Sequence, residues 1–597
     1  MFERHNGAVS HHPRPFLSRL IANRRGNALP MLALILSLLM AFVGCAVDGA
    51  RMYMVNARLQ QACDAGVLAG RKAMTDTSTG NTTLDSTATA AANAFFANNI
   101  RTGWYGITSL SFTPAKTADA QVSATASAAM PMTLMRAFGY SSITLNAVCQ
   151  ATYQISDTDV IFVLDTTGSM ACLPSDDTTT CNNYVNSVTA TAYSRPADGT
   201  GSGNTSTAGY PGSTAYYVPE KSGSRISALR SAVLSFYDTM AASIDVNTRV
   251  RYGFVTYTST INSGRAIMDI NPAYIVGGLG SVNTSWNYQT RVLTGTGFSF
   301  SCFCTLPNWQ YKQSPQLLTT FVTGAPTVDP TKYVNTTDTW EGCIEEAYTT
   351  PGVTSFSTTS LPNDLNPDLK PGSDIRTQWK PMWTAVTYAR NNYNSTATAT
   401  SSGDTSNSPN LDQAAYYKAG YISCGKPVSR LAAMTRTQVS NYVNATDFRA
   451  MGGTYHDLGM IWGTRLISPD GIFGADTAAT TGRDAPKRII VFLTDGDLAP
   501  SQYIYGSYGM EYYDQRVSGG DLANLKNYHN ARFLAACAAA KAKNISVWTV
   551  ALGMSSTTEL TQCATSPSQA LSTTSGSGLS AQFATIASKI AKLRISK

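Results

Sequence analysis

Twenty consecutive residues without a charge, Ala28–Val47 (ALPMLALILSLLMAFVGCAV), limit what this chain can fold into more than any other stretch. As a helix they reach roughly 30 Å, the thickness of a bilayer's hydrocarbon core. Arg4, Arg14, Arg19, Arg24 and Arg25 precede the run against Glu3 alone. The positive-inside rule therefore puts the N-terminus in the cytoplasm and everything after the run outside. A cleaved signal peptide would need a small-x-small site, and none follows clearly. A lipoprotein site at Phe42-Val43-Gly44-Cys45 would carry Phe and Val where such sites fit them poorly. A retained single-pass anchor over 28–48, behind a basic cytoplasmic tail at 1–27, is the reading adopted. It implies an inner-membrane protein with its bulk periplasmic or surface-exposed.

The rest of the chain has the texture of an exported protein. Only 14% of its 597 residues are charged. The tail holds +4 of the formal +7, which leaves +3 for everything after it. No basic stripe with interleaved aromatics stands out, so nucleic acid is not an expected partner. Ten of the eleven cysteines lie outside the apolar run and are expected to form disulfides. Cys172 with Cys181, Cys537 with Cys563, and Cys63 with Cys149 are the expected pairs. Cys302, Cys304, Cys343 and Cys424 are left to pair among themselves in an order that sequence does not fix. Zinc is the rival for Cys302-Phe303-Cys304, but the usual two-residue spacer is missing.

After the anchor, Val55, Leu59, Ala62, Gly66 and Ala69 keep helical spacing, so the helix is expected to continue outward. Its small residues would allow close packing on a neighbouring helix. A second helix is expected over 86–99, and strands over 107–112, 120–126 and 143–153. Together these make a small α+β, pilin-like module at 49–156. The residues GNALPMLALIL and VDGARMYMVNARLQQACDAGVLAG, with Asp48-x-x-Arg51 and Leu59-Gln60-x-Ala62-x-Asp64, resemble the N-terminal module of the TadE/TadG-like proteins of tight-adherence (Flp) pilus assembly. Prepilin-peptidase substrates carry glutamate five residues after the cleavage glycine, whereas Gly26 is followed there by Met31. The resemblance thus implies the larger, anchored TadG-like member, with pilus-assembly or envelope proteins as partners.

From Asp157 onward apolar strands alternate with amphipathic helices, the pattern of an α/β domain with a mostly parallel sheet and helices on both faces. Strands are expected at 159–164, 249–257, 487–493 and 546–552, and helices at 224–240, 435–446, 455–466, 525–544 and 579–593. Two insertions interrupt it, at about 172–222 and 260–426. The second lacks regular patterning and reads as loops and short strands, with a flexible tip over 391–410.

The run Asp159–Leu164 ends in Asp165-Thr166-Thr167-Gly168-Ser169, where a strand meets a tight loop. Asp165, Thr167 and Ser169 offer a carboxylate and two hydroxyls with no nitrogen or sulfur, a donor set suited to Mg²⁺, Mn²⁺ or Ca²⁺. An ordinary capped turn is the bland alternative. With Gly452-Gly453-Thr454 and with Asp495 after a later strand, the order resembles the metal-ion-dependent adhesion site of a von Willebrand factor A domain. That resemblance implies a Rossmann-like fold over 157–597 and a cation held by Asp165, Thr167, Ser169, Thr454 and Asp495. It also implies a protein partner that supplies an acidic side chain to the ion. A metal-independent envelope scaffold is the alternative. A hydrolase ranks below both, because His456 has no nucleophile elbow and reads as a surface or helix-start residue. Asp497 reads as a solvated acid or a cap.

Overall fold

The computed structural model describes residues 28–74, 82–118, 121–151, 157–197, 211–244, 248–388, 413–481 and 483–592. The basic tail, Gly26 and the 391–410 tip lie outside the described residues. The chain divides into two compact units, Met1–Gln154 and Ile155–Lys597.

In the first unit a single helix, α1, runs Ala28–Ala73 without a break. Among the described residues it is the one helix long and apolar enough to cross a membrane. Its first half is bare, with Met31, Leu34, Leu36 and Phe42 exposed, while Val55, Leu59, Ala62 and Gly66 are buried as their spacing predicts. The small residues serve this unit's own packing. A Cβ on Gly66 would meet the Phe112 ring at 2.7 Å, and one on Gly70 would meet Ala92 Cβ at 3.0 Å. Ala92 belongs to α2 (Ser86–Asn99), which is capped by Asp85 through Ala88 N–H. Phe112 belongs to β1 (Ser109–Lys116) of an antiparallel sheet ordered β1–β2–β3, with β2 at Val122–Pro131 and β3 at Ser142–Ala151. On β2, Val122, Ala124, Ala126, Ala128 and Met130 alternate into the core, so mostly methyl-sized side chains set how near the helix comes. Asp48 Oδ1 accepts from Thr133 N–H at 2.9 Å, and its Oδ2 from Leu134 and Met135 N–H at 3.0 and 2.9 Å. Arg51 Nη1 donates to the Thr133 hydroxyl, so the Asp-x-x-Arg pair ties one loop to the helix. The Cys63–Cys149 disulfide joins α1 to β3.

The second unit is built on a six-stranded mixed sheet. Its strands in chain order are β4 (Thr158–Asp165), β5 (Val250–Tyr257), β8 (Ser429–Ala432), β9 (Lys487–Thr494), β10 (Ser546–Leu552) and β11 (Ala570–Thr573), where β6 (Ser285–Ser299) and β7 (Cys304–Leu317) form a separate hairpin. Across the sheet the order is β8–β5–β4–β9–β10–β11, all parallel except the antiparallel edge β8. Numbered within the sheet this is 3-2-1-4-5-6. Alternate residues of β4 face opposite ways. Val160, Phe162 and Leu164 pack with α3 (Arg225–Ser243), α4 (Arg436–Val443) and α8 (Gly576–Lys592). Ile161 and Val163 pack with α5 (His456–Ile467) and α6 (Leu525–Ala542), with α7 (Thr558–Cys563) beside them.

The 260–426 insertion corrects the expectation of irregular structure. It contains the β6–β7 hairpin, whose strands of 15 and 14 residues are the longest in the chain's described part. Its Ile275, Trp340, Trp379 and Trp383 enter the same core as Trp462 of α5. All twelve residues of α5 are consequently buried, where an amphipathic helix would keep one wet face. Glu346 of the insertion accepts from Trp462 and Trp379 indole N–H and pairs with Arg465 at 2.9 Å. The remaining disulfides are Cys172–Cys181, Cys302–Cys304, Cys343–Cys424 and Cys537–Cys563, with Cys45 free.

Candidate functional site

In a sheet ordered 3-2-1-4-5-6 the chain leaves β4 and β9 in opposite directions, and a crevice opens beyond their carboxyl ends. Leu493 pairs with Leu164, so Asp165 and Thr494 are neighbours at that rim and Asp495 follows directly. Asp165 Oδ1 accepts the Thr167 N–H at 2.9 Å, which curls the loop back on the strand end. Its Oδ2 accepts from the Thr494 hydroxyl at 2.9 Å and from Tyr257 Oη at 3.3 Å. Ser169 Oγ donates to Asp495 Oδ1 at 2.8 Å, and Thr167 Oγ1 lies 3.0 Å from Ser169 Oγ. Since Ser169 gives its proton to the carboxylate, Thr167 is the donor in that second bond. The Cys172–Cys181 disulfide and the short turn Gly168–Ala171 hold the loop in place.

The backbone two and three residues before Thr454 meets this rim. Gly168 N–H donates to Gly452 O at 3.1 Å, and Met451 N–H to Thr166 O at 2.9 Å. Gly452 has φ of +84°, and a Cβ there would stand 2.5 Å from Ser423 Oγ, so both conformation and space demand glycine. Thr454 is nearly buried, and among the described residues no hydrogen bond joins its hydroxyl to the other four candidates.

Charge at the rim is unbalanced. Asp165 and Asp495 are both buried, and a single guanidinium, Arg225 at 3.0 Å from Asp495 Oδ2, answers them. Arg225 also donates to Leu173 O, Asp176 O and Asp495 O, so it clamps both loops. Burial and the Asp495 charge push Asp165 up to about 7. Burial raises Asp495 too, against the pull of Arg225. The residues fit a hard divalent cation on this ground: two carboxylates, three hydroxyls, no soft donor, and one negative charge without a counterpart. No cluster of three or more His, Cys, Asp or Glu side chains suited to an ion exists among the described residues.

Two participants had no sequence signal of their own. Arg225 opens α3 behind the Ser224 cap and meets Asp495 only through the fold. Tyr257 ends β5, and burial holds its hydroxyl well above the ordinary 10, so it stays protonated. His456 does start a helix, as read, but it is buried rather than on the surface. Burial brings it down to about 4, and its Nε2 lies 2.9 Å from Thr494 Oγ1. His529 is also buried, with Nδ1 2.8 Å from Asp457. Asp497 is exposed and paired with Lys526.

Comparison with known proteins bears most directly on the start of the first unit. Residues 26–75 match the family model of Flp pilus-assembly TadE/G-like proteins. Among curated proteins no relative matches. Of solved structures, the pilus adhesin SpaC from Lactobacillus rhamnosus GG is similar at 12% identity and TM-score 0.28, over 79% of this chain and 33% of that one. The PilB minor pilin from Streptococcus sanguinis is similar at 10% identity and TM-score 0.28, over 83% and 82%. The chain spans about a third of SpaC.

Proposed function

We propose that this chain is a single-pass inner-membrane protein of Flp-type pilus assembly or surface adhesion. Its second unit would be a von Willebrand factor A domain, periplasmic or surface-exposed, that binds protein partners through a divalent cation. The match over residues 26–75 supports the pilus setting. The observation that carries the binding site is the Ser169 hydroxyl bridging to Asp495 beside Thr167, with Asp165 held across the same rim. In this reading Asp165, Thr167, Ser169, Thr454 and Asp495 hold Mg²⁺, Mn²⁺ or Ca²⁺. The bound ion would supply positive charge to the carboxylate pair and a coordination position for a partner's acidic side chain. In this reading the role is non-enzymatic, and His456 is a buried packing partner of the rim through Thr494.

A metal-independent scaffold has one observation in its favour. Arg225 already neutralises Asp495, and the Ser169 hydroxyl closes onto that carboxylate without an ion. The two readings separate on the full chain in nanodiscs, stripped with chelator and titrated with Mn²⁺, alongside a piliation assay. The adhesion-site reading expects saturable binding that Asp165→Ala abolishes, with piliation lost while the protein stays folded. Normal piliation with lost Mn²⁺ binding would install the scaffold instead.

A further inference from the structure

We infer that the tip of the β6–β7 hairpin is a lipid-inserting element that engages the surface of a bilayer through Phe298, Phe300 and Phe303. Soluble surfaces scatter their large apolar side chains, yet here three rings stand together. They are 55%, 80% and 80% exposed, with centroids 5.2 Å apart for Phe298–Phe300, 5.9 Å for Phe298–Phe303 and 6.5 Å for Phe300–Phe303. Leu306 and Leu293 extend the apolar surface back along the strands.

Three features choose lipid over a protein groove. The patch is a projecting tip. The hairpin is anchored at its base by buried Tyr288, Trp309 and Tyr311, and from the Leu293–Trp309 pair to the Ser299–Cys304 pair it extends about 20 Å. The tip also has no charged residue around it of the kind that rims protein interfaces. Residues 292–311 contain no charge, and the tip hydroxyls of Ser299 and Ser301 bond each other at 3.0 Å. Finally, the tip is stiff, closed by Cys302–Cys304, so insertion orders little that is not already ordered.

The hairpin edges point to shallow insertion of the tip rather than strand pairing. A bulge between Leu293 and Gly295, and Pro307 opposite Thr296, interrupt the ladder that another strand would extend. Unpaired backbone groups along those edges would be costly in hydrocarbon, so the rings would rest at the headgroup boundary, roughly 5–10 Å deep. The nearest cations in sequence are Arg291, stacked between Trp309 and Tyr388 at 4.3 and 4.4 Å, and Lys312. Both sit at the base, beyond the ~8 Å screening length from the tip. Binding should therefore be indifferent to lipid charge and to salt.

The full chain held in nanodiscs, with its own apolar helix already satisfied, is mixed with separate phosphatidylcholine vesicles and floated on a density gradient. The wild-type protein should float with the vesicles, in low and high salt alike. The triple variant F298S/F300S/F303S should lose about a hundredfold or more in partitioning, and Phe300→Ser or Phe303→Ser alone about tenfold. The single variants change one exposed ring each, and the disulfide map of every variant reports its fold. Failure of the wild type to float would overturn the inference, as would equal flotation of the single and triple variants. Binding confined to anionic vesicles would overturn it too.

Discussion

Replacing Asp165 with asparagine should stabilise the cation-free protein, and the size of the gain follows from the rim. Burial and the Asp495 charge hold the Asp165 carboxyl at about 7, against an ordinary 3.8. A folded value above the unfolded one means that ionisation weakens the native state. The cost is absent below about pH 4, grows between pH 4 and 7, and is complete above that. Each pH step of one is about 1.4 kcal/mol, so the whole cost at pH 8 is about 4 kcal/mol. Asparagine removes it and keeps the shape. Its amide can donate to Thr494 Oγ1, whose proton then turns to Gly496 O at 3.0 Å, while Tyr257 keeps Leu493 O at 3.2 Å. For a unit of this size, 4 kcal/mol corresponds to roughly 4 °C in Tm. The assay is thermal unfolding of the full chain in detergent with chelator, from pH 5 to pH 8. Asp165→Asn should unfold about 4 °C higher than wild type at pH 8 and only about 1–2 °C higher at pH 5. Mn²⁺ should then raise the wild type alone. A variant less stable at pH 8, or a gap independent of pH, would refute the idea of two buried carboxylates sharing one guanidinium.

Three further outcomes test other parts of the structure. Cys343→Ala/Cys424→Ala should cost about 4–5 kcal/mol of unfolding free energy in denaturant titration, the value for a long closed loop. Gly66→Val should overpack α1 against Phe112 and Ala92, costing the first unit about 1–3 kcal/mol, read as faster proteolysis within residues 49–151. Burial pushes Glu220 up, but hydrogen bonds from Arg230 and Arg449 outweigh it and hold the carboxyl below its usual range. Its stabilising contribution is therefore present above about pH 4.5 and lost as pH falls further, so Glu220→Gln should flatten the acid limb of a stability profile.

What could be read in advance had a local cause. The Ala28–Val47 run, the Asp165-x-Thr167-x-Ser169 turn behind an apolar strand, and Gly452-Gly453 each carry their physics within a few residues. Three of the five disulfides followed from chain proximity and segment. What escaped depended on distant partners. The β6–β7 hairpin is polar on both faces over much of its length, so it shows no two-residue apolar period. β8 and β11 are four residues each, too short to stand out from loop. The burial of His456 depends on Tyr257, Phe492 and Phe533, which reach it from two strands and another helix. The tie between Arg225 and Asp495 spans most of the unit and leaves no trace near either residue.

The strand order across the sheet also sets a timetable. β4 is among the first elements of its unit to emerge, yet it lies in the middle and needs a strand on each side. One side closes early, when β5 arrives. The other stays open until Ile489 reaches Val160, with the whole of the second insertion still to be synthesised in between. At about 5–20 residues per second that wait is roughly 15–60 s. Throughout it, Val160–Leu164 presents a bare hydrophobic edge to the compartment in which it folds. Such high contact order makes the nascent unit a slow folder and a client for holding chaperones, and makes its yield sensitive to synthesis rate.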